Sequence, residues 1–118
     1  MKRIAALAAL LTLAAAPRAL AGGGSGRDGE VRAVSVLPGA GTVELVIDLQ
    51  GAVEVRDFTL AGPARLVIDL VGARLAAPTV LYDGQNRGGI VNVRYAQFRP
   101  DVVRVVLELE TLRDYRVE

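Results

Sequence analysis

Side-chain hydropathy alternates in twos over most of this chain, and the alternation returns in the same register 60 residues later. In the stretch 102–109, Val103, Val105, Leu107 and Leu109 share one face while Val102, Arg104, Val106 and Glu108 share the other. A period of two marks a pleated strand with one buried side. The preceding run from Ile90 and the Arg99-Pro100-Asp101 connection complete a hairpin, because proline presets φ and aspartate can bond its own backbone in a tight turn. Residues 42–56 then lie on 102–116 without a gap. Val43, Leu45, Val46, Ile47 and Leu49 meet Val103, Val105, Val106, Leu107 and Leu109; Asp48 meets Glu108, and Arg56 meets Arg116. Upstream, Val31 meets Val91 and Ala33 meets Val93. One register covering strand, turn and next strand reads as a half-domain duplication. The expected fold is all-β, a small β-sandwich of two related antiparallel sheets with an incomplete second half. If each half ends in a strand like 65–70, the second counterpart falls near 125–130, beyond Glu118, and an open edge is left to pair with another chain.

The remaining strands follow from turn chemistry. Runs at 31–37, 42–49, 53–60 and 65–70 are closed by Pro38-Gly39-Ala40-Gly41, Gly51, Ala61-Gly62-Pro63-Ala64 and Gly72. Residues 73–89 are irregular and read as a crossover loop with a short strand near 79–82. A last strand begins near Asp114.

The N-terminus is written differently. Met1-Lys2-Arg3, an apolar run over 4–16, Pro17 and the small-x-small pattern Ala19-Leu20-Ala21 describe a secretory signal peptide over 1–21. The run is too short to span roughly 30 Å of hydrocarbon, and no later stretch is long enough either, so the processed chain is expected to have no transmembrane segment. A Gly/Ser-rich flexible linker over 22–29 precedes a β domain over 30–118. Removing 1–21 leaves 97 residues with 11 Arg, no Lys and 13 acidic residues, a net charge of −2. That balance argues against nucleic acid, whose binders carry a basic surplus to neutralise phosphate. With no Cys and no His, disulfides, thiolate chemistry and the commonest general base and metal ligand are absent. The carboxylate pairs Glu108/Glu110 and Asp83/Asp101 lack a surrounding cleft, the Asp83 loop has too few carboxylates for calcium, and Gln85-Asn86-Arg87-Gly88-Gly89 does not open a helix as a phosphate loop would. No catalytic residue, cofactor or metal is expected.

Three motifs occur in a fixed order: Arg65-Leu66-Val67-Ile68-Asp69-Leu70 followed by Gly72; Ile90-x-x-Val93-Arg94-x-x-Gln97; and Val103-Arg104-Val105-Val106-Leu107-x-Leu109. Behind a leader, this order resembles the AMIN domain over nearly all of the chain from Val31. The resemblance implies a non-catalytic periplasmic module from the N-terminus of type IV pilus secretins or of cell-wall amidases, binding peptidoglycan and positioning its parent in the envelope. Its expected partners are peptidoglycan and subunits of the envelope machine, secretin or pilus components, with outer-membrane association through the parent. The Tyr82-Asp83-Gly84 and Arg99-Pro100-Asp101 loops favour a secretin parent; an amidase targeting domain, or an interaction module pairing by strand addition, are the alternatives. The expected ligand residues are Arg94 and Gln97 from the motif, Arg104 on the neighbouring strand, Tyr95 for stacking on a sugar, and Arg99, Arg65 and Asp69 around them. Arginine suits such a ligand because its planar fork pairs carboxylates bidentately.

Overall fold

The computed structural model describes residues 2–7, 10–15 and 29–118, with side chains placed for the last range. The Ala19-Leu20-Ala21 pattern and the Gly/Ser stretch 22–28 lie outside the described residues. Ten strands follow in chain order: β1 (Lys2–Leu7), β2 (Leu10–Ala15), β3 (Gly29–Gly39), β4 (Thr42–Gln50), β5 (Glu54–Leu60), β6 (Arg65–Val71), β7 (Ala73–Leu75), β8 (Ile90–Arg99), β9 (Val102–Leu109) and β10 (Arg116–Val117). No helix occurs among the described residues.

Two sheets form the sandwich. One has the order β5-β6-β9-β8 and is antiparallel throughout. The other is built on β4, β3 and β7, and is extended on the far side of β4 by β1, β2 and β10. Its β3–β7 pair is parallel, Gly29 opposite Ala73, because the chain leaves β6, turns at Gly72 and crosses to the opposite sheet without reversing. The duplication is visible in the backbone. The β3–β4 and β8–β9 hairpins are equivalent elements one repeat apart.

Alternation decides what faces inward. Leu66, Ile68 and Leu70 of β6, Val103, Val105 and Leu107 of β9, and Val43, Leu45 and Ile47 of β4 have no exposed surface and form one core cluster between the sheets. Each such side chain contributes about 1.5–3 kcal/mol by leaving water. Val67, on the opposite parity of β6, is also buried but lies outside that cluster. It is covered from the outer side of its sheet.

The crossover departs from expectation. Its short strand is β7, at 73–75, rather than at 79–82, where the backbone has no regular pairing. Pairing stops there because the loop is strapped by side chains and isolated bonds instead. The Ala76 amide donates to the Val31 carbonyl at 2.9 Å, and the Val80 amide to the Tyr95 hydroxyl at 3.2 Å. The loop closes with a tight turn in which Arg87 and Ile90 exchange both backbone bonds, at 2.9 and 3.0 Å. Gly88 and Gly89 supply the positive φ values of 62° and 97° that such a turn requires. A Cβ on Gly88 would also lie 2.6 Å from the Cβ of Val43.

Candidate functional site

Strand registry lays the outward residues of the β5-β6-β9-β8 sheet out as a grid. Across the four strands run Leu60, Arg65, Glu108 and Asn92; then Phe58, Val67, Val106 and Arg94; then Arg56, Asp69, Arg104 and Ala96. Arg99 lies beside Val102 at the hairpin end. Five of the seven expected ligand residues, Arg65, Asp69, Arg94, Arg99 and Arg104, are thus brought onto one face or its rim, although 39 positions of sequence separate the first from the last.

At the centre Arg104 makes a bidentate pair with Asp69, Nε to Oδ1 at 2.7 Å and Nη2 to Oδ2 at 2.9 Å. Its guanidinium carbon lies 3.7 Å from the centroid of the Phe98 ring and 5.6 Å from that of Phe58. The hydrogen bonds that Arg104 donates to Asp69 hold its charge more firmly than usual. Such a fork is stiff, and the aromatic faces on either side add electrostatic attraction to the cation. Phe98 and Phe58 are 46% and 40% exposed, so the rings that steady Arg104 also present apolar surface to solvent. A β-bulge between Gln97 and Arg99 makes Phe98 the extra residue of its strand and turns it towards Arg104.

Beside this stack lies a groove of about 380 Å³ lined by Arg94, Ala96, Phe98, Arg104 and Val106 together with parts of Tyr95 and Gln97. Ala96 and Val106 give it an apolar floor. Arg94 stands at its side, largely exposed, with Nε 3.2 Å from Glu108 Oε2, a carboxylate oxygen that also accepts from Asn92 Nδ2 at 3.0 Å. An exposed pair of this kind is weak, roughly 0–1 kcal/mol, so Arg94 can exchange it for another carboxylate. Arg56 is held by Glu54 at 2.7 Å, chiefly through a hydrogen bond that raises its pKa. Arg65 reaches only its own turn, Nε to the Pro63 carbonyl at 3.4 Å.

Two expected ligand residues also make internal contacts. Tyr95 is 8% exposed and belongs to the core cluster; its hydroxyl donates to the Pro78 carbonyl at 3.3 Å and accepts from Val80. It holds the crossover loop through that hydroxyl. The Gln97 amide is used internally. Nε2 donates to the carbonyls of Arg99 at 2.8 Å and of Ala73 and Val102 at 3.1 Å, while Oε1 accepts from the Leu75 amide at 2.8 Å. Gln97 therefore clamps β7 and β9 onto β8. Period two explains both cases: a strand residue one or three positions from Arg94 points to the opposite side of the sheet. The same rule picks out Phe98, four positions from Arg94, and Phe58, neither of which is among the expected ligand residues.

A second depression, about 300 Å³, lies under the crossover and is lined by Val34, Val36, Leu81, Tyr82, Asp83 and Arg87 among others. Arg87 forks onto Asp83 with both bonds at 2.7 Å and lies 5.1 Å from the Tyr82 ring centroid. The Arg87 hydrogen bonds, aided by the Gln85 amide, hold the Asp83 carboxyl well below the usual carboxylate range. These groups satisfy one another within the loop. Among the described residues no group of three or more His, Cys, Asp or Glu could hold a metal ion.

Residues 33–118 match the family model of the AMIN domain. The chain belongs to the AMIN domain family. The AMIN domain is a periplasmic peptidoglycan-binding module of secretins and amidases, and it is itself non-catalytic. No curated protein and no solved structure matches the chain.

Proposed function

We propose that this AMIN domain binds peptidoglycan through the outer face of the β5-β6-β9-β8 sheet and forms the N-terminal localisation module of a type IV pilus secretin, exported by the leader at 1–21. The observation that supports the binding reading most is the groove beside the Phe98–Arg104 stack. Its apolar floor and exposed ring suit the C–H face of a sugar, while Arg94 lines it, Arg99 lies 5.3 Å from the Phe98 ring centroid and Arg65 stands two strands away on the same sheet, cations suited to the carboxylates of wall peptides. Asp69 and the two rings restrict the movement of Arg104, so little side-chain freedom is lost when a ligand is bound. The secretin parent is carried over from the resemblance, with the Tyr82-Asp83-Gly84 and Arg99-Pro100-Asp101 loops in its support.

Co-sedimentation with isolated sacculi, over a salt series, tests the binding reading. Wild-type protein should pellet, and an Arg94→Ala, Phe98→Ala variant should stay in the supernatant while keeping its circular dichroism spectrum. Folded wild-type protein that stays in solution at low salt would sink the reading. Export is tested separately, by a secreted product whose mass begins at Gly22.

A further inference from the structure

The outer face of the β5-β6-β9-β8 sheet sets an arginine opposite a carboxylate twice across its central strand pair. Asp69 of β6 lies opposite Arg104 of β9, and Arg65 of β6 lies opposite Glu108 of β9. Side chains so placed have Cβ atoms about 4.5–5.5 Å apart and can pair directly. The first couple does, through two hydrogen bonds at 2.7 and 2.9 Å. The second does not. Glu108 turns towards β8, where its Oε2 lies 3.2 Å from Arg94 Nε and accepts from Asn92 Nδ2 at 3.0 Å. Arg65 is left with the Pro63 carbonyl at 3.4 Å, a long contact within its own turn. One carboxylate therefore stands between two arginines and serves one of them.

The two couples also differ in how firmly they are held. The Arg104 and Asp69 side chains are mostly covered and form a fork, whereas Arg94 is 61% exposed and meets Glu108 at a single atom pair. A covered fork persists; an exposed single contact, worth roughly 0–1 kcal/mol, is readily exchanged. Cations are also in surplus. Arg56, Arg65, Arg94, Arg99 and Arg104 stand on this face or its rim against the strand carboxylates Glu54, Asp69 and Glu108. Resting on the wall-binding reading above, we propose that Glu108 is a built-in stand-in for a carboxylate of the ligand. In the free domain it occupies Arg94. When the free carboxylate of a wall peptide takes that place, Glu108 turns to Arg65 and makes the cross-strand pair that Asp69 and Arg104 already make. The groove then selects a sugar bearing one free peptide carboxylate over a neutral one, because a neutral ligand gives Arg94 nothing in exchange for Glu108. Arg94 is the ligand contact. Arg65 acts through Glu108 and is a positioning residue.

The test titrates the 118-residue chain at low salt, followed by amide NMR shifts, with two probes. One is N-acetylmuramyl-L-alanyl-D-isoglutamine, which has one free carboxylate; the other is the same compound with that carboxylate converted to an amide. Wild-type protein should bind the acid about two- to fivefold more tightly than the amide, the factor expected of one additional exposed ion pair. Glu108→Gln should tighten the acid by a similar factor and leave the amide unchanged. Arg65→Ala should weaken the acid in the wild-type background and have no effect in the Glu108→Gln background, since both residues act through one exchange. The proposal is overturned if acid and amide bind alike, or if Arg65→Ala costs as much in the Glu108→Gln background, which would make Arg65 a direct contact. Equal tightening by Glu54→Gln, a carboxylate on the far strand of the same face, would reduce the effect to net charge and overturn it as well. If millimolar acid fails to bind while wild-type protein still pellets with sacculi, this inference falls and wall binding stands. If wild-type protein does not pellet, the earlier reading fails and takes this one with it.

Discussion

Replacing Gln97 by alanine separates a structural clamp from a ligand contact. The wild-type amide makes four hydrogen bonds, one within its own strand and three to two other strands: the Arg99 carbonyl on β8, the Val102 carbonyl on β9, and the Ala73 carbonyl and Leu75 amide on β7. Nε2 has only two hydrogens to share among its three acceptors, so these count as about three full bonds. At a net 0.5–1.5 kcal/mol each, with the solvent-facing ones at the low end, the loss is about 2–3 kcal/mol. For a domain of this size 1 kcal/mol moves the melting temperature by about 4–8 °C, so Gln97→Ala should melt about 10–20 °C below wild type. Arg94→Ala, which removes one exposed ion pair worth about 0–1 kcal/mol, should stay within a few degrees. Thermal unfolding followed by circular dichroism reads both. A Gln97→Ala protein that melts within about 3 °C of wild type but no longer pellets with sacculi would refute the clamp and keep Gln97 in the ligand set.

Other perturbations test other joints of the structure. Gly88→Ala forces a side chain into a positive-φ position and against Val43, and should cost about 1–3 kcal/mol, read as a lowered midpoint in urea. Arg87 depresses the Asp83 pKa in the folded state, so this pair contributes stability above the ordinary carboxylate value of about 3.9 and loses it as pH falls below that. An Asp83→Asn variant should show a shallower fall in melting temperature between about pH 4 and pH 2, and an unchanged slope would remove the pair from the acid response. Tyr115, which donates to Asp57, has its pKa raised first by burial and then by that carboxylate. A raised folded pKa means stability is kept below the unfolded value of about 10 and lost as pH rises above it, so Tyr115→Phe should flatten the alkaline limb of the melting curve.

The alternation of hydropathy was enough to read an all-β chain, its two hairpins and the inward set Val43, Leu45, Ile47, Leu66, Ile68, Leu70, Val103, Val105 and Leu107, because side-chain parity along a strand is a local property. The repeat was legible for the same reason: two halves that make the same strands must carry the same pattern. Motif spacing by itself did not convey which way each side chain faces. Arg94 and Gln97 stand three apart and so face opposite ways, and Tyr95 is next to Arg94 in sequence yet on the far side of the sheet.

Pairing between distant strands lay outside what a single sequence could specify. Nothing local says that β6 of the first half docks on β9 of the second, yet that docking brings Asp69 to Arg104 and completes the outer grid. The Phe98 bulge and the Gln97 clamp likewise depend on where β7 ends its crossover. Sequence alone determined which way each side chain faces, because that is settled within a few residues. Tertiary structure decided which faces meet, because that depends on the closing of long loops and on the hydrogen bonds left open at each sheet edge.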